Sequence, residues 1–239
     1  MIHGTLLLDK PKNITSNRAL SIVKRKLSVK KAGIVGILDP LASGMLPIVL
    51  NEGTKLAKYI EPYEKEYQAV AKLGLISTTG DGEGVITKTE KGNPFKLTDI
   101  FIKNVLKDSI GKQKQTPPMY SGLKVNGVKL YDLARKGVSI ERKSREINII
   151  DIKLISYKED ELCLNIICSK GTYIRTLIET IGEKLNTGAY TKDLRRLRIG
   201  HFLEKNMVIL DDLPNDIEKI VHINNMLNNI KSAMINEFE

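Results

Sequence analysis

Apolar and polar positions along this chain follow two different periods, and the changes of period divide it into elements. Thr5 to Asp9 is a short apolar run stopped by Lys10-Pro11, which reads as a buried strand. Leu20, Val23 and Leu27 then recur at spacings of three and four, behind Thr15 or Ser16, either of which can cap an amphipathic helix. Thr54 to Ile60 reads as a short helix, and Tyr67 to Leu75 alternates as a strand before the polar, glycine-rich turn Ser77 to Gly84. Thr98 to Gly111 places Ile102, Val105 and Leu106 on one helical face and ends in glycine. Two alternating runs, Ile147 to Tyr157 and Leu162 to Cys168, are joined by a polar KEDE turn and predict a hairpin. From Thr172 the period is helical again, with Ile174, Leu177, Ile178, Ile181 and Leu185 on one face and Gly188 just past the end. Ile217, Ile220, Val221, Leu227 and Ile230 predict a last amphipathic helix over Asp216 to Met234.

One stretch breaks both periods. Gly33 to Leu50 reads GIVGILDPLASGMLPIVL and holds a single charge, Asp39, in apolar, glycine-marked surroundings. Pro40 pushes Asp39 out of the helical region, and Gly36 and Gly44 allow backbone conformations that a side chain would block, so Asp39 sits on a loop between apolar flanks. On these residues alone it is either a plain Asp-Pro turn or a placed reactive carboxylate.

Charge adds a partner class. The 239 residues carry 38 Lys and Arg against 28 Asp and Glu, a net +10, which favours a polyanion and nucleic acid first. Tyr120, Lys124, Lys129, Tyr131 and Arg135 interleave aromatic and basic groups, a pattern suited to stacking on bases and pairing with phosphates. Cys163 and Cys168 lie in an apolar strand and suit a reducing compartment, while His3, His201 and His222 lack metal-ligand spacing. No stretch reaches transmembrane length, and the N-terminus has no signal pattern. A cytoplasmic, metal-free and cofactor-free monomer is expected.

The aspartate stretch resembles the G-H-T-G-T-L-D-P-x-A-x-G-x-L-P motif of the TruB family of pseudouridine synthases, which make pseudouridine-55 in the T-loop of tRNA. Gly33, Gly36, Leu38, Asp39, Pro40, Ala42, Gly44, Leu46 and Pro47 fall on the pattern, while Ile34 stands where the family usually has His and Ile37 where it often has Thr. Four further segments are similar to family motifs in the family's order. These are Gly4 to Ser16, Lys65 to Gly84, Gln115 to Gly137 and the run from Cys168 to Phe202 with CSKGTYIR and LRRLRIGHF. Asn13 replaces a common Gly, Gly122 an Ala, and Thr180 a usual Asp.

The resemblance implies an α/β (α+β) pseudouridine synthase fold, a central, mainly antiparallel mixed sheet flanked by helices. It implies a catalytic domain over residues 1–210 and a short helical tail over 211–239, with nothing that looks like a PUA domain. It makes Asp39 the catalytic carboxylate, Arg175 the arginine that pairs with it and keeps it ionised, and Tyr67 the active-site tyrosine. Tyr67, Tyr173 and Leu194 would contact the uracil, with Lys10 and Pro11 beneath the catalytic loop, where Lys10 serves support before direct chemistry. Lys124, Arg135, Lys170, Arg195 and Arg196 would meet the RNA backbone, and tRNA is the expected partner. The alternatives are a non-catalytic RNA-binding or tRNA-folding protein of this fold and an isomerase acting on another RNA. Rival carboxylate chemistries fit less well. A haloacid-dehalogenase-type phosphatase wants a second Asp at Leu41, and a glycosidase wants a paired carboxylate.

Overall fold

A computed structural model describes residues 2–215 and 217–226. In chain order the elements are β1 (Gly4–Lys10), α1 (Ser16–Lys26), β2 (Ala32–Ile34), β3 (Ser43–Leu50), α2 (Ala57–Ile60), β4 (Lys65–Leu73), β5 (Leu75–Ser77) and β6 (Ile86–Lys88). They continue as α3 (Asp99–Lys107), β7 (Gly111–Gln115), β8 (Lys124–Val125), β9 (Val128–Lys129), α4 (Leu130–Arg135), β10 (Arg145–Lys158) and β11 (Glu161–Cys168). Last come α5 (Ile174–Lys184), β12 (Ala189–Ile199), β13 (Val208–Ile209) and β14 (Val221–His222). The class is α+β. The chain forms two compact units, one of residues up to 65 and from 195 onward, the other of residues 66–194.

In the first unit β1 and β3 pair antiparallel over seven positions, from Gly4 opposite Leu50 to Lys10 opposite Gly44. Every residue of β3 is buried, as its near-continuous apolar sequence requires. β2 lies antiparallel on β3, while the second half of β12 runs parallel to it with Arg195 opposite Ser43 and Arg196 opposite Gly44. Leu7, Met45, Val49, Leu56, Ile60, Ile199, Phe202 and Met226 form this unit's core. Helix α1 starts where predicted, and of its two candidate caps Thr15 does the work: its Oγ1 accepts from the Arg18 amide at 3.1 Å.

Gly44 has no freedom to be anything else. Its φ is +96°, and a Cβ there would lie 2.2 Å from the Arg196 carbonyl oxygen on the paired strand. Gly44→Ala is therefore expected to cost about 3 kcal/mol or more, through backbone strain and a displaced strand pair. A fall in the urea unfolding midpoint at unchanged m-value checks this.

The predicted C-terminal helix is corrected over the described residues. Ile217–Lys219 is a 3-10 turn and β14 pairs antiparallel with β1, Val221 opposite Thr5. Helical backbone is present only at 223–226, and Leu227 and Ile230 lie outside the described residues. The cause is tertiary: the open edge of β1 offers backbone partners, and Val221, Ile223 and Met226 meet the core from that edge.

The second unit has strand order β12–β4–β11–β10–β7, with the first half of β12 at one side. β10 and β11 form the predicted hairpin, with two register shifts along it, and β7 closes on β10 from Arg145 opposite Gln115 to Ile149 opposite Gly111. β4 alternates cleanly, burying Lys65, Tyr67, Ala69, Ala71 and Leu73. Helix α5 buries Ile174, Leu177, Ile178 and Ile181 as its period predicts, and Gly188 follows it at φ +69°. Helix α3 ends earlier than its glycine suggests: Asp108 is the C-cap, and Gly111 opens β7 instead.

Candidate active site

Asp39 occupies the loop between β2 and β3, half-buried, as the aspartate stretch predicts. The loop is tied down from three directions within its unit. The Ser16 hydroxyl donates to the Leu38 carbonyl at 2.7 Å and accepts from the Leu38 amide at 3.0 Å. The Pro40 carbonyl accepts from the Asn13 amide at 2.8 Å and from Lys10 Nζ at 3.3 Å. Arg196 donates from Nε to the Met45 carbonyl and from Nη2 to the Gly36 carbonyl, each at 2.7 Å.

Arg196 is only 2% exposed and Lys10 is fully buried. Lys10 Nζ also donates to the Pro11 and Ile14 carbonyls, at 2.8 and 2.9 Å. A cation taken out of water needs oxygen partners, and here backbone carbonyls supply them, those of Pro40 and Gly36 from the Asp39 loop. Both side chains hold backbone of their own unit. Pro11 is exposed beside Lys10. Arg195 is part-exposed and makes a two-pronged pair with Asp9, at 2.9 and 2.8 Å, while also reaching Glu204 at 2.8 Å. Its proton is held more tightly than an ordinary arginine's, first by the hydrogen bond to Asp9.

The second unit carries the other predicted residues. Arg175 lies in the first turn of α5, 3% exposed, where its Nη1 and Nη2 donate to the Thr79 and Tyr120 carbonyls at 2.7 Å each. Its Nε lies 3.6 Å from Asp81 Oδ2. Asp81 is itself buried, and its Oδ1 accepts from Thr79 Oγ1 at 2.5 Å and from the Glu83 amide at 3.0 Å. Burial raises the Glu179 carboxyl above the usual carboxylate range, against the pull of nearby Arg175.

Tyr173 is the N-cap of α5, with no side-chain cap bond, and Gln115 holds the backbone groups of Tyr173 itself. Gln115 accepts from the Tyr173 amide at 2.8 Å and donates to its carbonyl at 3.0 Å. The Arg145 guanidinium stands 4.9 Å from the Tyr173 ring centroid. Tyr67 and Leu194 are buried, on β4 and β12, while Lys124, Arg135 and Lys170 are exposed. Lys129 and Arg135 flank the Tyr131 ring at 5.3 and 5.6 Å, the basic and aromatic interleaving read from the sequence.

Sequence reasoning passed over Ser16, Asp81, Gln115 and Arg145 as functional supports. Each had a signal: Ser16 beside the cap, Asp81 among the glycines of STTGDGEG, Gln115 opening QTPPMYS, Arg145 in the basic run that leads into β10. Among the described residues, no three of His, Cys, Asp and Glu come together as a metal-binding group, and no helix is long and apolar enough to cross a membrane.

Comparison with known structures places this architecture in the pseudouridine synthase fold. The chain superposes on a chain of a Cbf5-Nop10-Gar1 complex with a TM-score of 0.70 at 29% identity, over 88% of this chain and 53% of that one, about half its length. An H/ACA RNP bound to a substrate RNA containing 2'-deoxyuridine matches with a TM-score of 0.67 at 27% identity, covering 88% of this chain and 52% of that one.

Residues 24–174 match the family model described as TruB family pseudouridylate synthase (N terminal domain), and 175–231 that of the tRNA pseudouridylate synthase B C-terminal domain. The tRNA pseudouridine synthase B of Nitrosococcus oceani is 46% identical over 212 residues, 89% of this chain and 68% of that protein. That of Buchnera aphidicola subsp. Baizongia pistaciae is 43% identical over 238 residues, 98% of this chain and 76% of its own. The chain belongs to the TruB family of pseudouridylate synthases.

Proposed function

We propose that this protein is a tRNA pseudouridine synthase that isomerises uridine-55 of the T-loop. The observation that carries the reading is a half-buried carboxylate, Asp39, on a tied loop of a chain 46% identical to a tRNA pseudouridine synthase B. The reaction breaks the N-glycosidic bond of uridine, turns the freed uracil and joins it to the ribose through carbon five, which gives up its proton while nitrogen one gains one from water. Atoms balance without any redox agent. The target base must first leave its stack, and aromatic side chains offset the lost stacking.

In this reading Asp39 supplies the reacting carboxylate at the uracil–ribose junction, and Arg175 supplies the fixed cation. Tyr67, Tyr173 and Leu194 line the uracil, with Tyr67 the candidate acceptor of the carbon-five proton. Lys124, Arg135 and Lys170, exposed on a chain of net charge +10, meet RNA phosphates. Residues 1–210 form the catalytic domain and 211–239 a tail, in a cytoplasmic monomer that works without metal.

The test is tritium release from carbon five of labelled uridine in an unmodified tRNA transcript. Release of one equivalent, lost when uridine-55 is replaced by cytidine, is the expected result. Binding without release would favour a non-catalytic RNA-binding protein, and release only from another RNA would move the target.

A further inference from the structure

Ser16 does not cap the helix it begins. Thr15 makes that bond, and the Ser16 side chain, 2% exposed, turns to the Asp39 loop, where Leu38 is 4% exposed. One oxygen there meets both backbone groups of one residue, donating to the Leu38 carbonyl at 2.7 Å and accepting from its amide at 3.0 Å. Only a hydroxyl, among uncharged side chains of this size, gives and takes a strong hydrogen bond at a single atom.

Leu38 immediately precedes Asp39, and Pro40 immediately follows it. The Pro40 carbonyl is pinned by Asn13 and Lys10, from the same segment that leads into α1, and the Asp39 carbonyl accepts from Ala42 at 3.1 Å. The carboxylate-bearing residue is thus suspended between two fixed neighbours, both held from residues 10–16, where β1 ends and α1 begins. Lys10 and Arg196 share their anchoring among several carbonyls, whereas both Ser16 hydrogen bonds go to the one residue next to Asp39.

We propose that Ser16 is a positioning residue for Asp39, setting the place of the carboxylate through the backbone of Leu38. The proposal rests on the reading of Asp39 as the reacting group. Placement matters because reacting groups displaced by an ångström lose about a hundredfold in rate, while substrate contacts made elsewhere are untouched. Loss of the hydroxyl therefore acts on turnover and leaves RNA binding alone.

Single-turnover rates and tRNA-transcript affinity are measured for the parent, Ser16→Ala, Ser16→Cys, Ser16→Thr, Ser16→Val and Asp39→Asn, each well below its own Tm. Ser16→Ala is expected to lower the rate constant roughly 10- to 100-fold with Kd within about twofold of the parent. Ser16→Cys, close to serine in shape but weak as donor and acceptor, falls in the same direction. Ser16→Thr keeps the hydroxyl and exceeds Ser16→Val, its equal in size, by about tenfold. Parental rates for Ser16→Ala and Ser16→Cys overturn the proposal, as do equal losses for Ser16→Thr and Ser16→Val, since a steric cause then suffices. A fully active Asp39→Asn overturns the reading of Asp39 itself, and this proposal with it. An inactive Asp39→Asn beside a fully active Ser16→Ala sinks the proposal alone.

Discussion

Asp39→Asn is expected to abolish tritium release from the tRNA transcript, lowering the rate by roughly 10³-fold or more while RNA affinity stays near the parental value. The substitution keeps shape and volume and removes only the charge and the nucleophilic oxygen. The loop's backbone bonds at Gly36, Leu38 and Pro40 do not involve the atoms that the substitution changes. Asp39→Ala should match Asp39→Asn in rate. Normal release by either variant would leave the carboxylate without a chemical role and return Asp39 to an Asp-Pro turn.

The second large effect is structural. Asp81→Asn is expected to destabilise the protein by about 3 kcal/mol, because it leaves the Arg175 guanidinium, 3% exposed, without the buried opposite charge 3.6 Å away. Asp81 also accepts from Thr79 Oγ1 and the Glu83 amide at Oδ1, which an asparagine can keep, so the change falls on Oδ2, where a donating amide nitrogen would face Arg175 Nε. For a chain of this length such a loss lowers Tm by roughly 6–12 °C. Thermal melting checks it, and a double-mutant cycle with Arg175→Gln should give a coupling of at least about 1 kcal/mol, the pair costing less than the sum of the singles. An Asp81→Asn Tm equal to the parent's would show that the Asp81 charge is not needed to keep Arg175 buried.

Most elements were legible because their causes are local. The three-and-four spacing of Leu20, Val23 and Leu27 with Thr15 ahead of it specifies α1, and the alternation on either side of KEDE specifies the hairpin of β10 and β11. Arg175 falls in the first turn of α5 because the period changes at Thr172. Where a local reading met a free strand edge it lost, as at Val221, which pairs with Thr5 instead of continuing a helix.

The site divides in the same way. That Asp39 stands on a loop followed from Pro40 and the apolar flanks, both a few residues away. The fate of the charges around it could not be read so. Arg195 and Arg196 are adjacent and chemically alike, yet one pairs with acids at a part-exposed edge and the other is sealed among carbonyls.

Most elements, the loop that carries Asp39 and the motifs that define the family depend on neighbours along the chain and could be read from it. That Arg196 is sealed against Gly36, that Lys10 reaches Pro40 and that Ser16 holds Leu38 needed the folded chain. Those bonds join residues 160, 30 and 22 positions apart, and strand register, which alternates faces with every residue, chooses which cation is buried.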